Sequence, residues 1–135
     1  MRSNRKLRVE LIALLLLSVW CAGCPHKAVT VTAGQEYDGR TIKLLAGDSV
    51  KLSLAENPTT GYRWEFLGKP EPQCVIVSDA YVANPAMNPI GGGGAHDWEF
   101  RAEKKGTGTV KLGYRRPWEK DAAPAKTFTL ILVVK

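Results

Sequence analysis

The sequence predicts an all-β domain, an immunoglobulin-like β-sandwich of seven or eight antiparallel strands. Past residue 24, apolar and polar residues alternate repeatedly at a period of two, and no sustained helical period occurs. Segments rich in Gly, Pro, Asn and Asp separate the alternating runs at short intervals. Both observations fit strands with one buried face, and a small barrel is the alternative architecture.

Three runs, 50–54, 62–66 and 128–134, show the alternation most clearly. Their apolar positions, expected to face the core, are Val50, Leu52, Leu54, Tyr62, Trp64, Phe66, Phe128, Leu130, Leu132 and Val134. The last run is apolar on both faces near its end, which indicates a central strand. Further strands are expected near 28–32, 41–45, 74–82, 96–104 and 109–115, and Trp98 is expected in the core with Trp64.

The connections between these runs differ in length. Residues 46–48 and 106–108 are short enough for β-hairpins, whereas 84–95 and 116–125 are long and rich in Pro, Gly or Ala. We expect the two long connections to be exposed.

The first 23 residues have the features of a secretion signal. Basic residues come first, and the apolar run 11–20 follows, too short to cross a bilayer as a helix. Ala22 and Gly23 before Cys24 resemble the bacterial lipoprotein cleavage box, in which the cysteine carries lipid. Cys21 stands where that box usually has Leu, so cleavage with release into the periplasm is the alternative. Residues 24–135 then form one domain, exported in either case.

Composition excludes several classes of function. Much of the formal charge of +6 lies in the signal, and no basic cluster extends beyond Arg115–Arg116, which argues against a nucleic-acid partner. The two histidines, His26 and His96, show no spacing typical of a catalytic or zinc site, so we expect no enzyme, metal or cofactor. Cys74 opens an apolar run and is expected to be buried, or bonded to Cys24 where that residue carries no lipid.

Three segments between strands have the composition of binding loops. Residues 57–61 combine Asn, Pro and Gly in a tight projection that loses little freedom on binding. The glycines 91–94 expose bare backbone that can lie close to a partner, or form a flexible linker. Residues 116–118 present Trp118 beside a proline, and tryptophan and arginine are enriched in interface hot spots. A plain turn for the first segment, and Trp118 folded back onto the sandwich, are the alternatives.

Strand order predicts where these segments lie. If strands alternate in direction, every second connection falls at the same end of the sandwich, and the three segments are the first, third and fifth connections after residue 54. We therefore expect one composite surface.

The motifs Asn57-Pro58-Thr59-Thr60-Gly61-Tyr62, Gly91 to Gly94 and Arg116-Pro117-Trp118, in this order, resemble those of chagasin-like inhibitors of cysteine peptidases. The resemblance implies a monomeric, reversible inhibitor that occludes the active-site cleft of a papain-like peptidase, with Thr59 near the catalytic cysteine and histidine. Gly91 to Gly94 would lie along one wall and Trp118 on the other. The implied binding residues are Asn57, Pro58, Thr59, Thr60, Gly61, Gly91, Gly92, Gly93, Gly94, Arg116, Pro117 and Trp118. An envelope structural or adhesion module that binds glycan or protein is the alternative.

Overall fold

The computed structural model describes residues 26–69, 71, 73–86 and 91–135. The expected signal segment 1–23 and the expected lipidation site Cys24 lie outside the described residues. No helix in the described ranges is long and apolar enough to cross a membrane.

Eight strands form within the described residues. They are β1 (Thr30–Ala33), β2 (Arg40–Leu44), β3 (Ser49–Glu56), β4 (Arg63–Phe66), β5 (Cys74–Ala83), β6 (Gly94–Ala102), β7 (Gly106–Arg115) and β8 (Lys126–Val134). Two short 3-10 turns, Gln35–Tyr37 and Pro58–Thr60, complete the regular structure. The all-β prediction is confirmed, and each expected strand is present with its ends shifted by a few residues.

The strands divide into two sheets of four, which makes the fold a sandwich and not a small barrel. The first sheet has the order β1-β3-β6-β5, and the second has the order β2-β8-β7-β4. Strand β8 lies between β2 and β7, as its apolar character on both faces predicts.

The expectation that all strands pair antiparallel is wrong for two pairs. Strand β1 pairs parallel with β3, and β2 pairs parallel with β8, so both sheets are mixed. Parallel neighbours need a crossover between them, and here the chain passes through the other sheet before it returns. Alternation of side chains cannot reveal this, because it has the same period in both kinds of pairing.

The two expected short hairpins are also wrong. Residues 46–48 join β2 in the second sheet to β3 in the first, and the connection between β6 and β7 likewise changes sheet. The hairpins are instead the long connections, between β5 and β6 and between β7 and β8. A short connection can join two strands of one sheet or pass from one sheet to the other. Which of the two occurs depends on the sheet in which the next strand buries its apolar face.

Inward side chains of both sheets form one hydrophobic core. The fully buried side chains include Val50, Leu52, Leu54, Phe100, Leu112, Phe128, Leu130 and Leu132. Burying each such side chain stabilises the fold by about 1.5–3 kcal/mol before the entropy cost of ordering. Trp64 and Trp98 are 5% and 2% exposed, which confirms their prediction as core residues.

A buried carboxylate fixes the end of the sandwich where β3 begins. Asp48 accepts hydrogen bonds from the backbone amides of Leu45 at 2.8 Å and Val29 at 2.9 Å, and His26 Nε2 lies 2.7 Å from its Oδ1. These bonds lower the pKa of Asp48 to about 2, and the bond from the Leu45 amide has the largest effect. The carboxylate therefore ties the N-terminal segment to the turn between β2 and β3.

Candidate functional site

The first loop, residues 57–61, is a 3-10 turn capped at both ends. Asn57 Oδ1 accepts hydrogen bonds from the amide of Thr59 at 3.2 Å and from its hydroxyl at 2.6 Å. Thr60 Oγ1 donates to the carbonyl of Asn57 at 2.7 Å. Gly61 ends the turn with φ of 82°, a left-handed conformation that favours glycine. Thr59 and Thr60 are exposed at the apex of a loop whose backbone is already ordered.

The base of this loop is tied across the two sheets. Glu56, only 3% exposed, accepts a hydrogen bond on Oε2 from the backbone amide of Trp64 at 2.8 Å. The indole Nε1 of Trp64 donates to the carbonyl of Ala55 at 3.0 Å, and the amide of Asn57 donates to the Tyr114 hydroxyl at 3.1 Å. The strand that enters the loop and the strand that leaves it are therefore held at a fixed separation.

The glycine segment lies directly beside the first loop. Asn57 Nδ2 donates to the carbonyl of Gly91 at 3.5 Å, and a β-carbon on Gly93 would lie 3.7 Å from the β-carbon of Asn57. A β-carbon on Gly94 would collide with the carbonyl oxygen of Val82. At Gly93 and Gly94 the absence of a side chain therefore permits close backbone packing.

The third loop contacts the other side of the first. The indole of Trp118, 68% exposed, lies against Gly61, where an added β-carbon would be 2.6 Å from Cη2. The guanidinium of Arg116 lies over the Tyr62 ring, 4.8 Å from its centroid, and Nη1 donates to Glu119 at 3.2 Å. Trp118 therefore contacts the first loop while most of its own surface stays exposed to solvent.

An aromatic stack joins this loop to the core. Tyr62 stacks on Tyr114 with centroids 5.4 Å apart, and Tyr114 packs on Trp64 at 5.0 Å. Trp64 is buried in the core as predicted, but Tyr62 is half-buried and takes the stack outward to Arg116. The expectation that Tyr62 faces the core is thus corrected, because Tyr62 precedes the first residue of β4 and is free to turn toward the third loop.

The three segments lie at one end of the sandwich. In the first sheet Glu56 is paired with Gly94, and in the second sheet Arg63 is paired with Arg115, so the three connections leave the strands at the same level. We call this surface, residues 57–61, 91–94 and 116–118, the loop tip. Its existence as one contiguous surface agrees with the prediction from strand order.

Two ionisable residues under the loop tip, Glu56 and His96, were not predicted from the sequence to belong to the site. Glu56 continues the inward face of β3 after Leu54, and His96 lies two residues before the inward Trp98. His96 Nδ1 is 3.1 Å from Glu56 Oε2, and its Nε2 is 2.6 Å from Asp79 Oδ1. A charged residue at an inward position of an alternating strand is the signal that identifies both.

The described residues offer little for catalysis. Burial raises the pKa of the Cys74 thiol, which disfavours the reactive thiolate. Among the same residues, no group of three or more His, Cys, Asp and Glu side chains could hold a metal ion. The loop tip itself presents exposed threonines and an exposed indole, which are groups that can recognise a partner by shape and hydrogen bonding.

A family model described as "Chagasin family peptidase inhibitor I42" matches residues 43–132, which include all three loops. The chain belongs to the chagasin family of peptidase inhibitors. Membership of an inhibitor family supports the prediction that the protein is not an enzyme, and the match confirms the resemblance that the loop motifs suggest.

Individual relatives agree with this assignment. The chain is 31% identical to amoebiasin-2 of Entamoeba histolytica over 75% of this chain and 82% of that protein. It is 31% identical to chagasin of Trypanosoma cruzi over 71% of this chain and 90% of that protein. Its fold is similar to the crystal structure of the cysteine protease inhibitor EhICP2 from Entamoeba histolytica. That comparison has a TM-score of 0.73 and 29% identity, and covers 83% of this chain and all of that one.

Proposed function

We propose that the loop tip binds papain-like cysteine peptidases, and that the chain is their reversible, competitive inhibitor. The observation that carries the proposal is the contact of the first loop with both of its neighbours, through Asn57 to Gly91 and through Gly61 to Trp118. A wedge of this kind fits a cleft between two walls. Family membership and the similar fold of a cysteine protease inhibitor support the same target class.

The roles that we propose within the wedge follow the family resemblance, and the exposed apex of the first loop supports them. Thr59 enters the centre of the cleft and approaches the catalytic cysteine and histidine, while Gly91 to Gly94 lie along one wall and Trp118 packs on the other. Asn57, Pro58, Thr60 and Gly61 hold the apex in shape, and Arg116 and Pro117 hold Trp118. Inhibition needs no covalent step, because a preordered loop loses little conformational entropy when it binds. An interface of about 1,600 Å² is the standard size for a stable complex of this kind.

Titration of the purified protein into papain tests the proposal. The apparent KM of a small peptide substrate should rise with inhibitor concentration while kcat stays constant, and removal of the inhibitor should restore activity. A serine peptidase such as trypsin, assayed in parallel, should keep its full activity. Unchanged papain hydrolysis at micromolar inhibitor would rule out this target class.

We further propose that the protein is exported and held at the cell envelope by lipid on Cys24. The basic and apolar segments before Ala22-Gly23-Cys24 support this location. The wild-type chain, expressed in a Gram-negative host, should sediment with membranes, and Cys24→Ser should appear in the soluble periplasmic fraction. Equal solubility of both proteins would favour cleavage without lipidation.

We propose that the mature protein is a monomer that binds one peptidase molecule. Three loops converging on a single tip supply one binding surface per chain. Light scattering after size exclusion should give the mass of one chain alone and of a one-to-one complex with papain. A dimer mass for the free protein would contradict this stoichiometry.

A further inference from the structure

His96 lies between two carboxylates directly beneath the loop tip. Its Nδ1 is 3.1 Å from Glu56 Oε2 on β3, and its Nε2 is 2.6 Å from Asp79 Oδ1 on β5. The Glu56 side chain is 2% exposed and that of Asp79 is 46% exposed, so the imidazole connects a buried carboxylate to one at the surface. Three strands of the first sheet thus meet at this side chain.

The arrangement selects one protonation state of the imidazole. A neutral imidazole has one N–H donor, whereas here both ring nitrogens face carboxylate oxygens that only accept. The imidazolium satisfies both, and a neutral ring leaves one lone pair against an oxygen. The ring also stacks on the Trp98 indole, with centroids 4.1 Å apart and planes 9° apart, and an aromatic face attracts a cation.

The other titratable groups near Glu56 do not replace His96 as its partner. Tyr81 of β5 is paired with His96 of β6, and Tyr114 and Lys126 of the second sheet line the same cleft as Glu56. No ion pair joins Lys126 to Glu56 within the described residues. Among those residues, the imidazolium is therefore the cation that compensates the buried carboxylate.

Glu56 transmits the state of His96 to the first loop. The same oxygen, Oε2, accepts hydrogen bonds from the Trp64 amide and faces His96 Nδ1, and Glu56 directly precedes Asn57. A neutral imidazole has one N–H for two carboxylates, so Glu56 keeps its bond to His96 only in the tautomer that has the proton on Nδ1, and Asp79 then loses its own. In the other tautomer the Trp64 amide is the remaining donor to Glu56 Oε2, and the separation of β3 and β4, on which the shape of the first loop depends, is held less firmly.

We propose that His96 is a positioning residue of the inhibitor: as an imidazolium it locks Glu56 and Asp79 and so holds the first loop ready for the peptidase. The inference rests on the proposed function of the loop tip. It implies that binding is tighter when His96 is an imidazolium and weaker when the ring is neutral.

The ratio of the inhibition constants of His96→Gln and wild type against papain, measured from pH 5 to pH 8, tests this inference. Taking the ratio removes the titration of papain itself. We expect the ratio to be about tenfold at the acidic end, the order lost with one charge-assisted hydrogen bond, and to approach one at the alkaline end. Asp79→Asn, altered at a half-exposed site, should show the same trend with smaller amplitude.

His26→Gln is the matched control. His26 makes a similar contact, 2.7 Å from Asp48, but at the opposite end of β3, so its ratio to wild type should be independent of pH. A His96→Gln ratio that is constant with pH, or a similar pH trend in His26→Gln, would overturn the inference. So would a lowered melting temperature of His96→Gln with an unchanged inhibition constant, because the role would then be structural alone.

A measurement without peptidase separates this inference from the proposed function. The amide resonances of Thr59, Thr60 and Gly61 should shift with pH together with the His96 ring signals, and should stop doing so in His96→Gln. Wild type that inhibits papain at no pH would contradict the proposed function and, with it, the inference. If wild type inhibits papain but the loop resonances do not shift together with the His96 ring signals, the inference alone is contradicted.

Discussion

The indole of Trp118 lies against the α-carbon of Gly61, and a β-carbon at residue 61 would be 2.6 Å from its Cη2. Gly61 also has φ of 82°, so two separate constraints require glycine there. This contact joins the end of the first loop to the exposed Trp118 side chain of the third loop. The loops are therefore one mechanical unit, and a change in one alters the position of another.

Gly61→Ala should weaken inhibition more than it weakens the fold. Left-handed backbone strain at a non-glycine residue costs about 1–3 kcal/mol, and the clash also displaces Trp118. Gly39→Ala is the matched control, since Gly39 has φ of 72° with nothing within 4 Å of an added β-carbon. Melting temperatures and inhibition constants should show similar stability losses for both variants and a loss of inhibition in Gly61→Ala alone.

Trp118→Ala should leave the fold intact and weaken peptidase binding by about 2–4 kcal/mol, as truncation of an interface anchor commonly does. The side chain is 68% exposed, so little core packing is lost. Trp64→Ala provides the contrast, because removal of a buried tryptophan costs about 3–5 kcal/mol of stability. A large drop in the melting temperature of Trp118→Ala would show that it supports the core.

Asn57 has two functions that different substitutions separate. Asn57→Asp keeps the acceptor for the Thr59 amide and hydroxyl but loses the donor to the Gly91 carbonyl, whereas Asn57→Ala loses both. We expect Asn57→Ala to destabilise the fold by about 1 kcal/mol, as for the loss of a helix cap, and to inhibit least. If Asn57→Asp and Asn57→Ala have equal inhibition constants, only the bond from Asn57 to the second loop matters for inhibition.

Acid should destabilise the protein through Asp48. Its pKa in the folded protein is about 2, below the ordinary value of 3.8, so its carboxylate stabilises the fold above pH 4. That contribution is lost as the pH falls from about 4 toward 2, where the folded state must also take up the proton. Urea unfolding across this range should show a steeper loss for wild type than for Asp48→Asn.

Asp97→Asn is the control for this effect, because the Asp97 carboxylate accepts a bond from the Ser53 hydroxyl at an exposed site. Its acid profile should follow that of wild type. An Asp48→Asn profile as steep as the wild-type profile would show that other carboxylates dominate acid unfolding.

Strand content and core were predictable from the sequence because the period of two reports directly on burial. Phe128, Leu130 and Leu132 are buried as their alternation indicates. The same parity, applied to charged residues, places Glu56 and His96 inward, but it cannot say that they meet. Glu56 and His96 are forty residues apart in the chain, and their contact requires Leu54 of β3 to pair with His96 of β6.

The sequence by itself determined the class of fold, the three loop motifs and, through strand order, the end of the sandwich at which they meet. Only the tertiary structure decided which strands are neighbours, that two pairs are parallel, and that short connections cross between sheets. It also decided that Tyr62 turns outward to Arg116 and that His96 lies between two carboxylates. The reason is physical: alternation records which face of a strand is buried, whereas pairing and side-chain contact depend on residues far apart in the chain.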